Sequence, residues 1–457
     1  MNLPSYFLAE LPERAILTPA MVTDACVTLK ANRRRYLAER TTADLIEAIA
    51  AVAEDWLDPA NPFRRVALER GPEVLGFSEP TLAAGLDDFF ASLTRENLRA
   101  LVAQDLAHPQ RLDQLTPDDT ETRAGRVSLA HGPELLAHVT AGRLPNPALM
   151  SLILGLLTRS AQFMKCASGT SLLPRLFAHS LREVEAKLAA CLEIAEWPGG
   201  TEPLENALWA QADCVLAMGG DDTLAALRRR MPPGVRFLGY GHRLSFGYVA
   251  QEVLSNHALP GVVAAAARDV VAWNQLGCLS PHAIYVEAGG RNPPERFAEA
   301  LAGELERLEA GQPRGPLPVA EAAAIAARRA FYGVRAAHSR DTRMWCSADS
   351  TAWTVVFENV PRLHPSCLNR FIHVKAVSGV EEALEGVDVF RNQVSTVGLA
   401  ATGSREQTLA LRLARWGVPR ICPLGRMQNP PPSWRHDGRP ALGDLVRWTD
   451  WELPARW

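Results

Sequence analysis

The sequence lacks the features that mark secreted, membrane-spanning and metal-binding proteins. Its eight cysteines include no CxxC pair and no cluster with histidines at zinc spacing, so we expect neither a disulfide framework nor a metal site. The most apolar stretch, residues 148–157, is far too short to span a bilayer. Residues 1–11 have neither a basic start nor a long apolar run, so we expect no signal peptide and a cytoplasmic location.

An excess of charge of one sign is missing as well. The formal net charge is −3 over 457 residues, which gives no support to a nucleic-acid-binding or membrane-surface role. Lysine is scarce, because almost all the basic residues are arginine and lysine occurs only at positions 30, 165, 187 and 375. A chain of this length predicts two or three domains.

Strand–helix alternation organises the chain after a helical N-terminal part. In that part, Ser78 is a start signal for a helix with apolar residues at helical spacing from Leu82 to Leu93. Farther on, short apolar strands alternate with helices, which is typical of parallel sheets covered by helices. The predicted strands are 136–140, 163–167, 214–218, 235–238, 283–286, 353–357, 371–374 and 396–400, and the predicted helices are 147–157, 176–192, 262–273, 294–311 and 319–335, with another starting at 221.

Cys278 is the first residue that fits a chemical role. A helix is predicted to end just before it and a strand to begin just after it, so free backbone N–H groups surround the thiol. Such groups lower the pKa of a thiol and hold an oxyanion. Burial is the commoner role of a cysteine, and position alone does not decide between the two roles.

Two turns and one lysine fit a ligand site. Thr140-Ala141-Gly142 and Gly219-Gly220 follow predicted strands, where parallel sheets bind ligands, but neither is a GxGxxG loop and a purely structural turn remains the alternative. Lys165 ends another strand, where it either lies in solvent or binds a ribose or phosphate. The candidate acids and bases are His131, His242 and His282, although isolated histidines are mostly structural.

Taken in order, these segments resemble the LuxC-type acyl-CoA reductases of bacterial bioluminescence, a branch of the aldehyde dehydrogenase superfamily. The similarity covers residues 131–450 and lies in the ordered set rather than in any single motif. Its segments are HVTAGRLPNPALMSLILGLLTRSAQFMKCAS (138–168), ADCVLAMGGDDTLAAL (212–227), RFLGYGHRLSFGYV (236–249), WNQLGCLSP (273–281) with AIYVE, LNRFIHVKAVSGVEEAL (368–384), STVGLAATGSREQTLALRLARWGVPR (395–420) and RMQNPPPSWRHDGRPALGDLVRW (426–448).

The resemblance implies an α/β, aldehyde-dehydrogenase-like fold with a Rossmann-type cofactor domain and an α/β catalytic domain. The divisions that we expect are a helical part of the cofactor domain at 1–130, the dinucleotide-binding domain at 131–256, the catalytic thiol domain at 257–422 and a C-terminal arm at 423–457. The resemblance also implies segments that pack against a second subunit, and therefore a homo-oligomer.

The resemblance implies roles for particular residues. Cys278 is the nucleophile that accepts the acyl group, and Lys165 matches the lysine that binds the adenosine ribose. Ser168 falls where relatives that prefer NAD carry a glutamate, which leaves room for a 2′-phosphate and favours NADPH. The other residues expected to bind the cofactor are Thr140, Gly142, Gly219 and Gly220.

The departures from the superfamily pattern are informative. Gly239 stands where hydrolytic relatives have a glutamate base, and a second glutamate is missing near Ser366-Cys367-Leu368. The pattern around the oxyanion asparagine reads Gly142-Arg143-Leu144-Pro145, with Asn146 displaced along the chain. The oxyanion donor is therefore Arg143, Asn146 or backbone N–H groups alone.

The function that the resemblance implies is NADPH-dependent reduction of an acyl-CoA to an aldehyde, with coenzyme A as leaving group. One alternative is an NAD(P)-dependent dehydrogenase that oxidises aldehydes, which the missing base disfavours. Another is a non-catalytic acyl-binding subunit of a reductase complex, which the presence of Cys278 and Lys165 disfavours. The acyl donor is coenzyme A, a carrier protein or an acyl-protein synthetase partner.

Overall fold

The N-terminal part is helical, and polar side chains begin its helices. The computed structural model describes residues 4–12 and 14–454. Ser78 caps the predicted helix by accepting a hydrogen bond from the Thr81 N–H, and Thr18, Thr41 and Thr94 act similarly. The elements here are α1 (Pro19–Asn32), α2 (Thr42–Leu57), α3 (Pro62–Leu75), α4 (Glu79–Ser92), α5 (Arg95–Leu106), α6 (Asp119–Arg123) and the strand β1 (Arg126–His131).

A five-stranded parallel sheet follows, with the strand order β4-β3-β2-β5-β6. The predicted helix 176–192 is too long, because a helix ends at Val184 and Leu192 opens a strand. The elements are β2 (Leu135–Val139), α7 (Asn146–Leu157), β3 (Ala161–Cys166), α8 (Leu172–Val184), α9 (Ala186–Ala189), β4 (Leu192–Glu196), α10 (Glu202–Trp209), β5 (Cys214–Met218), α11 (Asp221–Arg229) and β6 (Arg236–Tyr240).

A seven-stranded sheet forms the second unit, with the strand order β13-β12-β7-β8-β11-β10-β9 and only β9 antiparallel to its neighbour. The predictions missed β7, β9 and β13. The elements are β7 (Leu244–Val249), α12 (Leu259–Val271), β8 (Pro281–Glu287), α13 (Pro294–Gly311), α14 (Val319–His338), β9 (Thr342–Cys346), β10 (Thr354–Glu358), β11 (Phe371–Val377), α15 (Val380–Val387), β12 (Val394–Ala400), α16 (Gly403–Trp416) and β13 (Arg420–Pro423).

These two sheets confirm the predicted α/β fold class. The change from one sheet to the other falls between β6 and β7, which is earlier than the predicted division at residue 256. Residues 244–249, which form β7, fell in the first predicted unit because no strand was predicted there. In the tail, β14 (Arg447–Glu452) pairs antiparallel with β1 and leaves Trp448 and Trp451 about half exposed. The expected homo-oligomer stays a prediction.

Packing of the N-terminal helices positions the thiol segment. The buried side chains of α2 to α5 share one core with α7, α8 and Trp273, which lies just ahead of Cys278. The absence of a side chain at Gly85 on α4 is needed here, since a Cβ at that position would overlap the Trp273 ring. No helix in the described part of the chain combines the length and the apolar character that crossing a bilayer requires.

Candidate active site

The backbone before Cys278 is strained and is held by buried polar side chains. After α12 ends, Trp273, Asn274 and Gln275 adopt positive φ values of 50°, 52° and 65°, which L-residues rarely adopt. The Asn274 amide donates to the Arg314 carbonyl at 2.8 Å and accepts from Arg370 Nε at 3.0 Å. These bonds fix the turn that carries Cys278 into β8.

Cys278 is partly exposed, and its backbone is fixed from the neighbouring strand. The Ser245 hydroxyl on β7 donates to the Cys278 carbonyl at 2.8 Å and accepts from the Thr396 N–H at 3.0 Å. Burial raises the pKa of the Cys278 thiol to about 12, and the Asp437 carboxylate adds to this rise. The Cys278 backbone N–H lowers this pKa, as expected of the turn, but burial outweighs it together with the positive charges of Arg243 and Arg420, so the net shift is upward.

A largely apolar cavity of about 1030 Å³, including its open mouth, contains Cys278 in its wall. Its walls come from α4, α7, β5, β6, the Cys278 turn and the C-terminal tail. The principal apolar side chains are Phe89, Leu144, Met150, Leu154, Leu216, Met218, Trp273, Leu279 and Trp434. Polar lining groups are few, and Asp88, Asn146, Gln428 and His436 are among them.

The structure separates the two candidate oxyanion donors. Asn146 opens α7 and lines the Cys278 cavity, and its buried Oδ1 has no hydrogen-bond partner among the described residues. Arg143 instead forms an ion pair with Glu321 on α14, next to Gly76. Of the two, only Asn146 lines the same cavity as Cys278, because the Arg143 guanidinium is paired with Glu321.

The structure also changes which residue of β6 stands where a glutamate base would face the cavity. A Cβ at Gly239 would lie 3.0 Å from Phe237 Cε1 and 3.4 Å from Leu224 Cδ1, and Gly239 does not line the cavity. The next residue, Tyr240, does line it. Since side chains alternate along a strand, Tyr240 rather than Gly239 occupies the position of a cavity-facing base. In the described part of the wall, the one carboxylate is Asp88.

None of the three histidines proposed from the sequence lies in the cavity wall. His131 is exposed on β1, and His242 lies in the loop after β6, where its N–H donates to Asp221 at 3.1 Å. His282 on β8 is buried, and its Nδ1 accepts a hydrogen bond from the Ser366 backbone N–H at 3.1 Å. This bond attaches to β8 the segment around Ser366, in which the second glutamate of the superfamily is missing. Burial lowers the pKa of His282 to about 4, so this ring is neutral and structural.

Sequence reasoning missed His436, which the tail places in the wall of the Cys278 cavity. Its ring is stacked between Tyr240, with centroids 4.3 Å apart, and Trp434, with centroids 4.7 Å apart. The signal that would have found it is the Asp437-Gly438 pair, which is typical of a two-residue turn. Both residues have positive φ, and the Arg439 N–H donates to the His436 carbonyl at 3.0 Å.

A second, smaller cavity of about 350 Å³, including open space, lies at the carboxyl ends of β2 and β3. Thr140, Gly142 and Arg143 line it, and a Cβ at Gly142 would meet no atom within 4 Å. The two cavities share Leu144, Pro147 and Met218. Gly219 and Gly220 follow β5 beside Ala141, so the two predicted turns meet at one edge of the sheet.

The residues at this edge fit a dinucleotide. Lys165, at the end of β3, is only 4% exposed, and burial lowers its pKa. Ser168 is exposed just beyond it. The sequence analysis missed Glu196 at the end of β4, whose carboxylate accepts from the Gly169 N–H at 2.6 Å and the Ser171 N–H at 3.3 Å. A cation and a carboxylate therefore flank the position expected for the ribose.

Comparisons with known proteins agree with this arrangement. The acyl-CoA reductase (LuxC) family matches residues 37–448. The chain is 25% identical over 422 residues to the long-chain acyl-protein thioester reductase of Aliivibrio fischeri, covering 90% of this chain and 82% of that protein. It is 22% identical over 426 residues to the protein of the same name from Photorhabdus laumondii, covering 91% and 83%.

Solved structures agree in fold alone. An NAD-dependent benzaldehyde dehydrogenase from Corynebacterium glutamicum superimposes with a TM-score of 0.69 at 15% identity, covering 98% of this chain and 92% of that one. A putative aldehyde dehydrogenase PutA from Anabaena variabilis gives 0.67 at 17% identity, covering 97% and 95%. With most of its length matched, the chain belongs to the acyl-CoA reductase (LuxC) family, and the protein is an oxidoreductase that acts on acyl or aldehyde groups.

Proposed function

We propose that the protein is an NADPH-dependent reductase that converts a long-chain acyl-CoA to an aldehyde through an acyl group carried on Cys278. The observation that carries the proposal is the thiol in the wall of an apolar cavity that shares three residues with the cavity at the ends of β2 and β3. An acyl group on Cys278 would therefore lie next to the edge where a dinucleotide fits.

The residues of the site support each chemical step. The Cys278 sulfur attacks the thioester carbonyl, and the bond to the departing thiol breaks to leave an acyl-enzyme thioester. The Asn146 amide and the Cys278 backbone N–H stabilise the oxyanion formed on the way. A bound nicotinamide would supply the hydride that reduces the acyl carbon. The Cys278 sulfur would then act as the leaving group when the carbon–sulfur bond breaks and the aldehyde is released. Thr140, Gly142, Lys165, Ser168, Gly219 and Gly220 would hold the dinucleotide.

The walls of the cavity favour a long alkyl chain over a short or charged one. An alkyl chain in this cavity would contact the apolar side chains of Leu144, Met150, Leu154 and Leu216. Each buried methylene of that chain would contribute about 0.8 kcal/mol to binding. The names of the similar proteins from Aliivibrio and Photorhabdus refer to a protein-borne thioester. A protein-borne acyl group presents the same carbonyl as acyl-CoA, so both donors belong in the test.

The two alternatives lack support at this site. Oxidation of an aldehyde to a free acid needs a base that activates water. The one carboxylate in the described wall of the cavity, Asp88, lies on α4 and not on β6, where the hydrolytic base was expected. A non-catalytic binding subunit has no need of a thiol on the cavity wall. The geometry thus favours transfer of the acyl group to Cys278 over either alternative.

Acyl labelling tests the proposal directly. Incubation with a long-chain acyl-CoA in the absence of dinucleotide should add one acyl mass to the peptide that contains Cys278. Cys278→Ser should abolish both the label and aldehyde formation, with a loss of at least about 10⁴-fold, because a neutral hydroxyl is a far poorer nucleophile. The matched control is Cys346→Ser, on the edge strand β9, which should retain both.

The reaction direction is measured with the same preparations. NADPH consumption is followed with acyl-CoAs of increasing chain length and with an acylated protein, and NADP⁺ reduction is followed with the corresponding aldehydes. A label on another cysteine would disprove the role of Cys278. Oxidation of aldehydes to free acid faster than thioester reduction would establish the dehydrogenase alternative instead.

A further inference from the structure

One buried amide contacts the thiol turn on both sides of Cys278 and has no role in the reductase scheme above. Gln428 lies in the tail beyond β13, is only 9% exposed and lines the Cys278 cavity. Its Nε2 donates a hydrogen bond to the Ser280 hydroxyl. A Cβ at Gly277 would lie 2.9 Å from Gln428 Oε1 and 3.0 Å from Gln428 Nε2. The Gln428 amide therefore lies against the residue just before the thiol and is bonded to the second residue after it.

The turn against this amide is short, and its glycine makes room for the amide. The Ser280 N–H donates to the Gly277 carbonyl at 2.9 Å, which closes a four-residue turn with Cys278 in its second position. The φ of Gly277 lies outside the left-handed region, so other residues fit this backbone. The three atoms nearest to a Cβ at this position all belong to Gln428. A side chain at residue 277 would therefore displace the Gln428 amide before it met any other group outside the turn.

The segment that carries Gln428 is held in place by the second unit. The Asp269 carboxylate on α12 accepts from the Met427 N–H at 2.9 Å, and Arg420 Nη1 on β13 donates to the Met427 carbonyl at 2.6 Å. The Met427 side chain is fully buried and packs against Gly398 of β12. Because the residue next to Gln428 is fixed by these three contacts, the amide restrains the turn rather than moving with it.

We propose that Gln428 is a positioning residue, which holds the 277–280 turn so that the Cys278 thiol meets the acyl carbonyl in the cavity. The Ser245 hydroxyl fixes the Cys278 carbonyl from β7, and Gln428 fixes the turn from the tail. Attack on a carbonyl needs reacting atoms about 3–3.5 Å apart, and a displacement of about 1 Å costs about 100-fold in rate. This role rests on the proposed acyl transfer to Cys278, but the hold of Gln428 on the turn is testable without an acyl donor.

The test follows the acylation of Cys278 by a long-chain acyl-CoA in a single turnover without dinucleotide, measured by mass spectrometry of the Cys278 peptide. Gln428→Ala should lower the acylation rate by about 100-fold, with little change in the acyl-CoA concentration that gives half the maximal rate. Gly277→Ala should have a similar effect, because its methyl group displaces the amide. In the double variant the two losses should not multiply, because the methyl group no longer meets an amide.

A second measurement needs no acyl donor. Alkylation of Cys278 by iodoacetamide should become severalfold faster in Gln428→Ala, because a released turn exposes a thiol that is now partly covered. Alkylation of Cys346, which is also partly exposed, should keep its wild-type rate and so show that the fold is intact. Gln251→Ala is the matched control, since Gln251 Oε1 lies in the same way against Gly289, beyond the other end of β8. It should leave acylation and alkylation of Cys278 unchanged.

The two measurements separate the positioning role from the proposed function. A wild type that takes up no acyl group at Cys278 would overturn the proposed function, and alkylation would still decide the role of Gln428. Equal alkylation rates in wild type and Gln428→Ala, equal acylation rates, or losses that multiply in the double variant would each overturn the positioning role. If Gly277→Ala fails to fold, Ser280→Ala takes its place in the double variant, because it removes the hydroxyl that accepts from Gln428.

Discussion

The two cavities that meet at Met218 are built in different ways. The smaller one is lined mainly by one short run, residues 140–148, and by the start of α8, so neighbouring residues in the chain are neighbours in space. The Cys278 cavity takes its wall from α4, α7, the β5–β6 pair, the thiol turn and a tail residue as distant as His436. The first is built mainly from one stretch of the chain, whereas the second is a set of side chains that the fold brings together from distant segments.

This difference assigns different tasks to the two cavities. Backbone groups at the carboxyl ends of parallel strands suit a ligand with many polar groups, such as a dinucleotide. An apolar cavity whose wall also carries a thiol, an amide and an imidazole suits an alkyl chain that reacts at one end. Arg143 and Asn146, three residues apart, mark the border between the two, because only Asn146 reaches the thiol side.

Among changes at the border between the two cavities, removing the amide should have the largest effect. We expect Asn146→Ala to lower kcat for acyl-CoA reduction by about 100-fold or more, because one oxyanion donor is lost. Arg143→Ala should leave kcat nearly unchanged, since Arg143 is paired with Glu321 outside the Cys278 cavity. Steady-state kinetics of both variants, with circular dichroism as the check on folding, measure the contrast. The reverse order of effects would make Arg143 the donor.

Placing a carboxylate on the two faces of β6 should sharpen the comparison. Tyr240→Glu puts a potential base on the cavity side and should give hydrolysis of the acyl-enzyme, raising free-acid release about tenfold or more above that of Tyr240→Gln. Gly239→Glu should give none, because its side chain points toward Phe237 and Leu224. Free acid is measured by mass spectrometry with acyl-CoA and no dinucleotide. Hydrolysis by Gly239→Glu would show that the cavity-facing position is Gly239 after all.

How much of each cavity the sequence predicts depends on whether residues close together in the chain build that cavity. Turns such as 140–142 and Gly219-Gly220 follow strands directly, so strand prediction alone brings them to the same sheet edge. Glu196 was missed because the predicted helix ran to Leu192 and no strand was predicted after it, so the carboxylate at the end of β4 was not placed at the sheet edge.

The thiol cavity was predictable only at Cys278 and Asn146. Nothing local in the sequence brings His436 into the wall of a cavity that contains a thiol 158 positions earlier, because that placement depends on where the fold puts the C-terminal tail. Motif matching also does not predict which face of a strand a side chain lies on. Gly239 aligns with the superfamily base, yet Tyr240 faces the cavity, since alternation along β6 decides which residue points inward. The raised pKa of Cys278 likewise reflects burial that no spacing rule reports.

The smallest effects should come from the two charges beside the expected ribose, Lys165 and Glu196. Lys165 favours a 2′-phosphate and Glu196 opposes it, so we expect the wild type to prefer NADPH and Lys165→Met to raise KM for NADPH far more than for the acyl donor. Because burial lowers the pKa of Lys165, it loses its charge earlier than an ordinary lysine as the pH rises, and the preference for NADPH should weaken at alkaline pH.

Glu196→Gln should increase the ratio of kcat/KM for NADPH to that for NADH by about tenfold, which corresponds to about 1.4 kcal/mol. Glu202→Gln, exposed on α10, is the matched control and should leave the ratio unchanged. Equal efficiency of the wild type with both dinucleotides would contradict the assignment of Lys165, and an unchanged ratio in Glu196→Gln would mean that its carboxylate only caps the turn before α8.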